Sequence, residues 1–81
     1  MKSDMVNVVV KSERKMVGDS LDWVDTYLKE YVYCDSSAAN DSALCKMKAA
    51  TLEIDHGTPD RKYIAVRLDR VDAIKLGLVK E

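Results

Sequence analysis

Phenylalanine is absent from this 81-residue chain, proline and histidine occur once each, and there are only three glycines and two cysteines. Each scarcity removes a class of function. Gly18, Gly57 and Gly77 stand alone, so no glycine-rich loop is available to cradle a phosphate. Two cysteines, Cys34 and Cys45, cannot build a disulfide framework. Together with His56 they are three candidate zinc ligands, but their spacing matches no closed metal site. No metal and no cofactor is expected. The commoner setting for such cysteines is two partly buried thiols.

Long apolar runs are missing as well. Met5–Val10 is short and interrupted by Asn7, whereas a membrane span needs about 20 apolar residues. Met1-Lys2-Ser3-Asp4 does not resemble an export signal. A cytoplasmic domain with no membrane association is expected. There is no repeat and no low-complexity tract, so residues 1–81 are read as one domain. A domain of this size buries a modest share of its surface, and pairing with a second copy is a common remedy.

Hydrophobic residues make up 47% and charged residues 33% of the chain, as in ordinary folded domains. The net charge of −1 hides an uneven distribution. Residues 19–41 carry six acidic side chains against Lys29 alone, and the flanking segments are mildly basic. That profile does not suit a dedicated nucleic-acid binder.

Met5–Val10 is rich in β-branched residues and reads as a strand, followed by a charged connection at Lys11–Lys15 and a break at Gly18. The spacing of Leu21, Val24, Leu28, Tyr31 and Val32 predicts an amphipathic helix over 21–33, with Asp19 or Ser20 as its cap. Residues 35–42 read as a loop from which Asn40 or Asp41 caps a short helical piece. Residues 44–54 fit either a helix or a strand. The turn signal Asp55–Asp60 and the strand-like Tyr63–Leu68 favour a hairpin of 49–55 with 62–68. A short helix capped by Asp69 and ended at Gly77 closes the chain, with a last strand as the alternative. The expected fold is α+β: a small antiparallel sheet of about three strands, one face covered by a long amphipathic helix, and a short C-terminal helix.

Trp23, Tyr27 and Tyr31 carry the principal functional expectation. On a helix they form one ridge beside the apolar face. Trp and Tyr join apolar area to a polar tip and are enriched at interfaces, although in a small domain they also serve as the core's edge. Acidic neighbours Asp19, Asp22 and Glu30 favour a neutral or cationic partner. The expected function is a non-enzymatic binding or interaction module, homodimeric, with a peptide or small molecule as a further candidate ligand.

A nucleic-acid-binding regulator is the alternative, using Arg61, Lys62, Arg67 and Arg70. Residues 63–69 followed by a helix resemble the opening of a ribbon-helix-helix repressor, but the second helix of that fold does not follow before Glu81. Asp60, Asp69 and Asp72 dilute the basic stretch, which also reads as a solvated strand edge. A third candidate is general-base chemistry at His56 with Asp55 or Asp60. A histidine in such a turn is more commonly a solvated loop residue.

Overall fold

A computed structural model describes residues 4–34 and 37–80. The elements run β1 (Met5–Val17), β2 (Ser20–Tyr33), α1 (Ala38–His56), β3 (Arg61–Asp69) and α2 (Arg70–Lys75). The strands form one antiparallel sheet in the order β2-β1-β3. The long helix lies on this sheet and a short helix follows the last strand, so the expected α+β architecture stands. Its assignment along the chain differs from the reading above.

β1 is the central strand. Val6, Asn7, Val8, Val9 and Val10 are five consecutive buried residues. A half-covered strand would alternate, so this run marks a strand enclosed on both faces. On one face Val9 packs with Cys45, Ala49 and Leu52 of α1, joined by Leu28, Tyr31, Tyr33, Tyr63 and Ala65. On the other, Val6 packs with Cys34 and Ala73, bordered by Val32, Leu78 and Val79. Burying each valine contributes about 1.5–3 kcal/mol.

The segment 11–15, expected as an exposed connection, continues β1. The helix expected over 21–33 is instead strand β2. Seven of its fourteen residues, Trp23, Val24, Thr26, Tyr27, Tyr31, Val32 and Tyr33, are β-branched or aromatic. These fit a pleated surface better than a helix. Gly18-Asp19 is therefore a two-residue hairpin turn, not a helix cap. Gly18 takes φ +64° at the first turn position, as the type II′ turn requires. β3 begins opposite Glu13, so the hairpin beyond it projects as a two-stranded arm, and the molecule measures 46 × 27 × 15 Å.

The register of β2 slips between Val8 and Val10. Val8 faces Val32 but Val10 faces Tyr27, which leaves surplus residues at 28–31 on β2. That irregularity lets both Leu28 and Tyr31 turn toward α1.

Residues 49–55 belong to α1, so the hairpin expected between 49–55 and 62–68 does not form; β3 pairs with β1. Cys45, Ala49 and Leu52 recur at helical spacing and face the sheet. Ser37, rather than Asn40 or Asp41, is the cap, accepting the Asn40 N–H at 3.3 Å. Asp35 and Ser36 lie outside the described residues. The C-terminal helix forms as expected and follows Asp69, although no side-chain hydrogen bond caps it. Its end is a Schellman motif: Leu78 N–H donates to Ala73 O at 2.9 Å and Gly77 N–H to Ile74 O at 3.0 Å, with Gly77 at φ +73°.

α1 also closes the outer edge of β3. The Glu53 carboxylate accepts the Tyr63 backbone N–H at 2.8 Å, occupying a donor that an edge strand would otherwise offer to another chain. A Cβ on Gly57 would meet the Glu53 carbonyl oxygen and approach that carboxylate to 2.8 Å. Gly57→Ala is therefore expected to displace Glu53 and lower stability by about 1–3 kcal/mol. A lower urea midpoint at constant slope would show it; an unchanged midpoint would mean that the end of α1 moves aside freely.

Candidate functional site

Strand alternation sorts the side chains of the projecting hairpin between two faces. On the face away from α1, the register sets Met16 beside Leu21, Arg14 beside Trp23 and Val10 beside Tyr27, with Ile64 on the far side of Val10. Met16, Leu21, Trp23 and Ile64 are all exposed. Trp23 lies between two cations. The Arg14 guanidinium is 5.2 Å and the Lys62 ammonium 5.3 Å from its ring centroid. Lys62 reaches across β1 over Ser12, its small register partner.

Glu13 explains which cations remain for this face. It points to the opposite side and collects Arg61 at 3.1 Å, Lys11 at 3.3 Å and Lys15 at 3.7 Å. Partial burial pulls its carboxyl upward, but the hydrogen bonds from Arg61 and Lys11 and the nearby positive charges outweigh that and leave its pKa lowered.

Trp23 and Tyr27 share a face, as expected, but on a strand and not on a helix. Tyr31 is separated from them by the irregularity at 28–31. It packs in the core under α1, with the Lys48 ammonium 4.9 Å from its ring centroid. The continuous three-residue ridge therefore does not exist. The expected acidic surroundings change too, because by alternation Asp22 faces away from Trp23, while Asp25 stays on its side.

The four basic residues of the nucleic-acid alternative are dispersed. Lys62 faces Trp23, Arg61 is held by Glu13, and Arg67 stands on the α1 side opposite Asn7. Arg70 opens α2 and extends toward the Cys34 carbonyl at 3.5 Å. His56 and Asp55 end α1 in exposed positions, and the exposed Asp60 carboxylate is 3.6 Å from Arg14. Cys34 and Cys45 lie in clusters on opposite faces of the sheet, and no disulfide joins them. Burial pushes the Cys45 thiol up, and a hydrogen bond with the Val66 backbone offsets this only in part, so it is a poor nucleophile. Among the described residues, no group of three or more His, Cys, Asp or Glu side chains could hold a metal ion.

One surface escaped the sequence reading although its residues were in view. Ala43, Leu44, Met47, Ala50, Thr51 and Ile54 are exposed, and at 100° per residue they fall within an arc of about 120° on the outer side of α1. Ile54 is 84% and Met47 66% exposed. No charged residue interrupts the stripe. The spacing of Leu44, Met47, Thr51 and Ile54 was the available signal, and it describes the outside of the helix.

Comparison with known proteins gives no match: no family model, no curated protein and no solved structure matches this chain.

The lowered pKa of Glu13 gives a signed expectation. Its ion pairs contribute stability above the unfolded carboxylate range, and this contribution is lost as pH falls through the lower folded value. Urea midpoints measured from pH 6 downward should decline below about pH 4.5, and Glu13→Gln should make that decline shallower. A variant with an identical acid limb would show that the three cations do not hold Glu13 in solution.

Proposed function

We propose that the protein is a non-enzymatic interaction module that works as a homodimer, its two copies meeting along the outer stripe of α1. The observation that carries this reading is the pair of apolar stripes on α1, one against the sheet and one facing outward. A helix apolar on opposite sides belongs between two layers, and the described residues supply one of them, the sheet. A second copy is the most economical source of the other, since a two-fold contact needs only one self-complementary patch. Met47 and Ile54 lie on either side of Ala50 and Thr51. An antiparallel crossing there sets Met47 of one copy against Ile54 of the other, and the small residues permit close approach. The stripe itself carries no charged side chain to desolvate.

In that dimer the Trp23 face stays open as the contact surface for a partner, with Tyr27 beside it. Arg14 and Lys62 suit a peptide segment bearing carboxylates. Single-stranded nucleic acid is a second reading, favoured by one observation: an exposed tryptophan flanked by two cations is a base-stacking platform. Titration with a short oligothymidylate at low salt should quench Trp23 fluorescence if this second reading holds. Unchanged emission would remove it.

Light scattering after size exclusion is expected to give twice the 9.1 kDa chain mass across a dilution series. Ile54→Lys or Met47→Glu should give the single mass with unchanged circular dichroism, because both positions are exposed. Trp23 emission should not shift as the dimer dissociates. A wild-type monomer, or dimers that survive both substitutions, would refute the α1 contact. A Trp23 shift on dissociation would move the contact to the sheet face.

A further inference from the structure

We propose that the cavity between the N-terminal half of α1 and the β1–β3 pair is a binding site for a small phosphate ester. Asn7, Ser42, Lys46, Ala65, Val66 and Arg67 line a space of about 340 Å³. That volume lies at the lower end of the range of small-molecule sites, roughly 300–1,000 Å³, and exceeds what a bare ion would fill.

Four of these six residues carry a side-chain donor. Asn7 is 3% exposed, and its Nδ2 is buried with no hydrogen-bond partner among the described residues. A buried amide donor without a partner is costly, and each instance in a folded protein calls for an explanation. Here the anomaly is sharper because Asn7 interrupts a run of buried valines, where another apolar side chain would carry no such cost. Arg67 stands directly across the β1–β3 register from Asn7. Ser42 and Lys46 are one helical turn apart on α1, so they overhang the same space. Neither Lys46 nor Arg67 is ion-paired with a carboxylate among the described residues. No carboxylate appears among the described lining residues, and the buried Asp41 is not one of them.

With the Asn7 amide closed into the wall and a hydroxyl, an ammonium and a guanidinium carried by the other lining residues, the site has the donor set that a tetrahedral dianion takes. Guanidinium offers phosphate two parallel N–H donors, and the ammonium adds a second positive charge. The remaining volume, bordered by Ala65 and Val66, accommodates a small organic body. None of the polar lining residues belongs to the outer stripe of α1, so the site does not depend on the proposed dimer.

The test is a titration of the ¹⁵N-labelled 81-residue chain with inorganic phosphate and then with glycerol 3-phosphate, following the Asn7 side-chain amide pair by NMR. Sodium chloride at matched ionic strength is the control. The expected result is a saturable shift of the Asn7 amide, tighter for the ester than for inorganic phosphate. Lys46→Gln and Arg67→Gln, at exposed positions, should each weaken binding by about tenfold or more. A shift that sodium chloride reproduces, one that does not saturate, or one that both variants retain would overturn the proposal.

Discussion

Everything in this fold is referred to the burial of five consecutive residues of β1. A strand covered on one face needs one layer; Val6 to Val10 need two. α1 supplies the first over Val9. The second comes from Ala73 of α2 and the tail residues Leu78 and Val79, beside Val6. This explains why a six-residue helix ends in a full Schellman motif. Gly77 turns the chain so that Leu78 returns to the cluster containing Ala73 and Val6. Flanking strands on both edges are required for the same reason, because a buried central strand must pair its backbone groups within the sheet.

This constraint was partly legible in the sequence. The β-branched run announced a strand, and the Asp69 and Gly77 punctuation announced the last helix. The spacing in 21–33 points to a helix where a strand forms because the helical periodicity is the one on display. Leu21, Val24, Leu28, Tyr31 and Val32 step at helical intervals, yet no face of that segment is uniformly apolar as a strand. The cause is physical. The hairpin arm extends past β3, so neither of its faces is enclosed there, and selection for alternation is weak. The slip at 28–31 then turns two residues to the same side. Residue type was the better guide than spacing, and Gly18-Asp19 between two β-rich runs was the stronger turn signal.

The reverse confusion occurred in α1. A helix with one apolar stripe announces itself by a single period. Residues 43–54 carry two opposed stripes, Cys45, Ala49 and Leu52 inward and Met47, Ala50 and Ile54 outward, and the second masks the first. The candidate site was legible only in part. Trp23 and Tyr27 do share a surface, because residues four apart lie on one side of a strand as well as of a helix. Arg14 and Lys62 could not be found from local spacing, since they reach Trp23 from two neighbouring strands.

The size of the inward side chains ties the packing to the cavity. Cys45 and Ala49 are small, and they let α1 lie close to the sheet over Val9, where Leu52, Tyr63 and the Tyr31 ring complete the seal. Toward the N-terminal end of α1 the packing leaves a space beside Asn7. Ser42 and Ala65 are too small to fill it, while Lys46 and Arg67 are long but charged and keep their heads in solvent. The sheet therefore carries a buried polar side chain, Asn7, in the wall of the space that these residues line. Filling that space with apolar volume would have required changing only a few of these residues. An open space, an unsatisfied amide in its wall and two lining cations without a carboxylate partner among the described residues coincide here, and a loose fit of α1 on the sheet gives no reason for all three to do so.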